Sequence, residues 1–196
     1  LLQGFTLAGH PYQSAFGGGL TGRVTFSDGW WVEPEFEYKD RLFYDTGTYP
    51  TATDNNGDLY TYAVNANGEV TENVTLASRL AYNDNRAKTE YKSYDQYTGL
   101  VSVEVGFDLW GRDNWLFSSF LSGTISDFEG VAPTEQYADL KTKRHDEQWT
   151  VGAGLDIPFN DQVGLAVAVE YTKNNSNLDR YRYENFEVIV GPQGRF

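Results

Sequence analysis

The sequence predicts an all-β chain: an antiparallel up-and-down transmembrane β-barrel of about ten strands, with eight or twelve also admitted. Three observations lead there. Apolar and polar residues alternate with period two in one segment after another. Connections alternate between tight turns and long polar links. The polar face of the strands is rich in small side chains, which suits the inside of a narrow barrel. The 196 residues are read as a single domain, residues 1–196.

The strands follow in order. The first clear one sets Phe16, Leu20, Val24 and Phe26 against Thr21, Arg23 and Thr25. The next sets Val32, Phe36, Tyr38, Leu42 and Tyr44 against Glu33, Glu35, Glu37, Lys39 and Arg41. Residues 60–70 alternate more weakly. From Val74, the residues Val74, Leu76, Leu80 and Tyr82 oppose Thr75, Arg79 and Asn83. From Gln96, the residues Tyr97, Val101, Val103, Val105, Phe107 and Leu109 oppose Thr98, Ser102, Glu104, Gly106 and Asp108. Residues 115–125 alternate weakly again. Trp149, Val151, Ala153, Leu155 and Ile157 then oppose Thr150, Gly152, Gly154 and Asp156. Val163, Leu165, Val167, Val169 and Tyr171 oppose Gly164, Ala166, Ala168, Glu170 and Thr172. In the last strand, from about residue 183, Phe186, Val188, Val190, Pro192 and Phe196 oppose Glu187, Gly191, Gln193 and Arg195. Residues 3–10 form a weaker tenth strand, separated from the next by residues 11–14.

Tight turns fall at residues 27–29, 71–73, 111–114 and 159–162, and longer links at 46–58, 85–91, 127–143 and 174–180. Short turns on one rim and long loops on the other are the layout of outer-membrane barrels, with the short turns periplasmic. Both termini are expected on the periplasmic side. Trp30, Trp110, Trp115 and Phe159 fall at the short-turn rim, and Tyr38, Tyr44, Tyr60, Tyr82, Tyr97 and Tyr171 toward the other. Two aromatic girdles would account for 14 Tyr, 12 Phe and 5 Trp.

Composition narrows the function classes. Hydrophobic content is 40%, and no run approaches the length of a transmembrane helix. A net charge of −13 argues against nucleic acid as a partner. The chain has no Cys, so it carries neither disulfides nor thiolate metal sites. It also has no Met and no signal peptide, and reads as a processed form or the ordered part of something longer.

The charges of the polar faces are the candidate lumen lining: Arg23, Glu33, Glu35, Glu37, Lys39, Arg41, Arg79, Glu104, Asp108, Asp156, Glu170 and Glu187. The three glutamates of 33–37, with Arg23 and Arg79 on neighbouring strands, are expected to form a network. An enzyme would need a base near the outer rim. His10 and His145 are the two histidines, and His145 stands beside Asp146 and Glu147, as a solvated charge cluster would. No nucleophile-elbow, zincin or phosphate-loop motif is present. Residues 53–58 resemble half of a calcium loop without its closing glutamate, and read as an ordinary turn. The expectation is a non-enzymatic chain with no cofactor and no metal.

A final strand ending in Phe196 resembles the insertion signal of bacterial outer-membrane barrels, which the barrel assembly machinery reads. A finer resemblance covers residues 74–196. The run Tyr171–Thr172–Lys173–Asn174–Asn175–Ser176–Asn177, then Tyr181, Tyr183 and Asn185, then Gly194–Arg195–Phe196, is similar to the end of barrels in the surface lipoprotein assembly modifier group. Arg144–His145–Asp146–Glu147 and Asn83–Asp84–Asn85 also look similar. Those barrels follow periplasmic tetratricopeptide domains. This sequence has no helical repeats and fewer strands, so the resemblance implies chiefly the architecture. It implies residence in the outer membrane, with outer-membrane lipid and lipopolysaccharide as surroundings. It further implies the assembly machinery as a partner in biogenesis, and a protein partner in a larger envelope complex. The function expected is a membrane anchor, scaffold or narrow channel with a charged, largely filled lumen. The alternatives are a small-solute porin or a translocation barrel related to surface lipoprotein export, and more remotely an outer-membrane hydrolase.

Overall fold

The computed structural model describes residues 2–7, 10–131, 142–160 and 162–194. Eleven strands occur in chain order: β1 (Leu2–Leu7), β2 (His10–Thr21), β3 (Val24–Ser27), β4 (Trp30–Phe43), β5 (Gly57–Thr71), β6 (Val74–Ala87), β7 (Tyr94–Leu109), β8 (Arg112–Phe128), β9 (His145–Pro158), β10 (Val163–Ser176) and β11 (Tyr183–Gly194). They form one antiparallel sheet in the order β1-β2-β4-β5-β6-β7-β8-β9-β10-β11, with β3 also on β4. β2 and β3 pair with successive stretches of β4, and the Gly22 amide between them donates to the Pro34 carbonyl at 3.2 Å. They are two halves of one interrupted strand, so the meander has ten positions.

Local chemistry explains the turns. Leu109 pairs with Arg112 around Trp110 and Gly111, both at positive φ (55° and 69°). That is the two-residue turn whose twist matches its flanking strands, and glycine at its second place relieves the strain. Asp28–Gly29 and Glu72–Asn73 also close short hairpins. Links on the other rim are longer and carry 3-10 turns at Ala52–Asn55, Glu90–Lys92 and Asp179–Tyr181.

Several boundaries differ from the sequence reading: β1 ends at Leu7, β8 runs from Arg112 to Phe128, and β10 continues to Ser176. β2 begins at His10, so residues 11–14 belong to the strand and do not separate two strands. Pro11 sits just beyond the register shift between Phe5 and Thr6, and a bulge near a sheet edge tolerates a residue with no amide hydrogen. β6 runs on to Ala87, which leaves a compact link before β7.

The sheet has one layer, and the principal contacts lie between neighbouring strands. Among the described residues no large side chain is fully buried, and the buried apolar residues are Ala15, Ala52, Ala63, Trp115 and Leu178. No helix among them is long and apolar enough to cross a membrane. The ladder ends at β1 on one side and β11 on the other; within the described residues these two strands are not paired.

Candidate functional site

The polar face of β2–β6 carries an interlocked set of charges. Arg79 on β6 reaches across β5 to Glu35 on β4, Nη1 to Oε2 at 2.7 Å. The same Nη1 donates to Asn65 Oδ1 at 2.7 Å, and Asn65 donates to Glu35 at 3.3 Å. The bridge is diagonal: Arg79 stands opposite Asn65 and Glu35 opposite Ala63, which is 6% exposed. Arg23 binds Glu33 at 3.0 Å and lies 3.9 Å over the Trp31 ring. Lys39 pairs with Glu37 at 2.8 Å. Arg41 spans β5 in the same way and donates to Asn85, whose amide donates in turn to the Lys92 carbonyl at 2.8 Å.

On β7–β11 the same face is mostly small, hydroxylated or acidic, interrupted by Leu100, Phe120 and Ile189. Glu104 and Asp108 are exposed. Asp156 accepts from Gln193 at 2.9 Å. Glu170 and Glu187 are direct cross-strand partners. Among the described residues none of these acids takes part in an ion pair. The glutamates of 33–37 therefore meet their cations along the sheet, while Glu104, Asp108, Asp156, Glu170 and Glu187 stand outside that network. Phe196 lies outside the described residues.

Toward the long-loop rim a file of hydrogen bonds crosses four strands at one level. Thr61 donates to Asn83 at 2.7 Å, Asn83 to Gln96 at 3.0 Å and Gln96 to Ser126 at 3.0 Å. Above it the loops pack on one another. Tyr91 and Thr89 bond Asp54 in the neighbouring link. Arg144 is ion-paired with Asp146 and lies between the rings of Phe128 (4.4 Å) and Tyr181 (3.5 Å). Sequence reasoning missed this clamp, because its partners come from the end of β8, the start of β9 and the link after β10. Lys92 sits in the same layer, where burial holds its ammonium pKa below the usual lysine range, partly offset by Asp54.

The opposite face is apolar and open. Leu80 is 68% exposed and Leu121 52%. Phe36, Tyr62, Tyr82 and Tyr97 stand in direct register on β4–β7, with ring centroids 5.2, 6.1 and 5.0 Å apart. One level nearer the long loops the row changes character: Tyr60, Asp84, Asp95, Asp127 and His145 follow one another across β5–β9. Tyr82 donates to Asp95 at 2.5 Å, and His145 Nδ1 meets Asp127 at 2.5 Å. Glu147 is 3.5 Å from the other ring nitrogen of His145. No serine or cysteine is bonded to this histidine among the described residues, so the group forms no nucleophile–base pair. At the short-turn rim Trp115 is enclosed by Phe107 and Trp110.

Fold and faces together define a class: a single-sheet, all-β antiparallel meander with one apolar and one polar face. No protein-family model and no curated protein matches the chain.

Proposed function

We propose that this chain is an integral β-barrel of a bacterial outer membrane, serving as a membrane anchor or scaffold, or as a narrow channel with a charged, largely filled lumen. One observation carries the reading. Residues 74–82, 117–125, 149–157 and 163–171 each present nine residues of outward strand, apolar or small at every second position, with Tyr82, Ile125, Trp149 and Tyr171 at their long-loop ends. Nine to eleven tilted residues cross a bilayer core, and an aromatic girdle bounds such a band.

Surface area points the same way. The chain exposes 12446 Å², against about 9300 Å² for a soluble monomer of its mass. In lipid the open apolar face needs no second layer. The polar face then becomes the lumen, lined by Arg23, Glu33, Glu35, Glu37, Lys39, Arg41 and Arg79 on one side and by the acids of β7–β11 on the other. Its surroundings would be outer-membrane lipid and lipopolysaccharide, and its insertion would fall to the barrel assembly machinery.

Refolding into detergent micelles tests this. The expected product is a folded species that needs detergent and runs differently on gels before and after heating. A folded, monomeric chain in plain buffer would overturn it. Planar-bilayer conductance then separates channel from anchor: steps that shrink on Glu104→Gln and Glu170→Gln support a channel, and a silent, folded preparation supports an anchor.

A further inference from the structure

We infer that the free edges of β1 and β11 join as an antiparallel pair with Leu2 opposite Val190, closing the sheet through this chain's own strands. The inference rests on the barrel reading, because unpaired backbone groups at a sheet edge are not tolerated in lipid. It goes further in fixing which strand fills the seam and at which register.

Topology supplies the direction. Ten positions joined by hairpins leave β1 and β11 antiparallel to each other. Each strand has a neighbour on one side only among the described residues, and residues 3–6 of β1 and 183–190 of β11 are exposed throughout.

Register supplies the stagger. Leu2 pairs with Phe16, Phe16 with Asp40, Asp40 with Asp58 and Asp58 with Arg86. Carried on at the observed registers through β7–β10, this line meets β11 at the level of residue 178, twelve residues above Val190. A closed sheet must absorb such an offset as strand tilt. For ten strands about 4.8 Å apart with about 3.3 Å per residue, a stagger of twelve gives a tilt of about 40°, in the middle of the range of about 35–45° that barrels adopt.

Neighbouring registers fit less well. An odd stagger would turn one strand's apolar face inward. A stagger of ten flattens the tilt to about 35°, the lower limit. A stagger of fourteen places Pro192 opposite Leu2. Pro192 is already laddered to Leu165 on β10, and a proline in a strand sits with its missing donor on the unbonded side. The free edge of β11 therefore has no donor at that point.

The chain has no cysteine, so paired substitutions report on the seam without background. Directly opposed residues in an antiparallel ladder have Cα atoms about 4.5–5.5 Å apart, within reach of a disulfide. Leu2→Cys with Val190→Cys, in the detergent-refolded full chain, is expected to give the major intramolecular disulfide on mild oxidation. Leu2→Cys with Val188→Cys, or with Pro192→Cys, is expected to give much less. Heat-modifiable migration before oxidation checks that each variant is folded. A predominant crosslink through Val188 or Pro192 overturns the register. Disulfides formed only between molecules, or none in a folded variant, overturn closure by β1 and point to a second copy or another strand at that edge. Either result leaves the membrane reading standing if folding still requires detergent; a crosslinked chain that folds without detergent overturns the membrane reading instead.

Discussion

Glu170 and Glu187 face one another directly across the β10–β11 ladder, on the polar face, and neither has a cation among the described residues. Like charges at opposed positions weaken a sheet. Glu187→Gln is therefore expected to stabilise the folded chain by about 0.5 kcal/mol at neutral pH. In a Glu170→Gln background the same change is expected to do almost nothing. Unfolding in denaturant, with both single variants and the double variant, reads the coupling. Equal gains in the two backgrounds would show that the glutamates do not repel.

The Arg79–Glu35 bridge crosses an intervening strand, and Asn65 holds both ends. Arg79 is partly exposed, so water screens the pair and its coupling is expected at about 1 kcal/mol or less. A double-mutant cycle with Arg79→Met and Glu35→Gln measures it. Additive effects would show that the bridge contributes nothing to stability.

Gly152 lies under Phe120. A β-carbon built on it would stand 2.3 Å from the ring. Gly152→Val is expected to destabilise by about 2 kcal/mol through overpacking, and Phe120→Ala in the same chain is expected to recover much of that loss. Thermal melts of the single and double variants decide it; failure of the second change to compensate would place the strain elsewhere.

Leu80 offers a sharp test of the medium. At an exposed site in water, Leu80→Arg would shift stability by about 0.5 kcal/mol at most. In a bilayer, one outward position inside the tyrosine level, it is expected to destabilise by about 1–3 kcal/mol. Refolding titrations into lipid vesicles compare the two outcomes directly.

Lys92 links the loop layer to pH. Burial disfavours its charged form, so its folded pKa lies below its unfolded value. Between those two values the unfolded chain binds more protons, and stability rises with pH. Below the folded pKa the gain is absent. Wild-type unfolding midpoints are expected to climb toward about pH 10, and Lys92→Met is expected to remove the climb and to be the more stable chain at neutral pH. A parallel pH profile in the variant would exclude Lys92 as the source.

The sequence by itself determined the strands, their two faces and the alternation of short and long connections. These follow from period-two patterning and turn residues, which act over a few positions. Even the polar-face partners of Glu33 and Glu35 were legible, because Arg23 and Arg79 share that face on nearby strands. Tertiary structure alone decided which residues stand level with which. Register accumulates over every hairpin, so neither the Glu170–Glu187 opposition nor the Phe36–Tyr62–Tyr82–Tyr97 row can be read from any one segment. The Arg144 clamp between Phe128 and Tyr181 is likewise a product of loop packing. The start of β2 at His10 needed the bulge beside Pro11, a backbone adjustment that only pairing with β1 makes favourable.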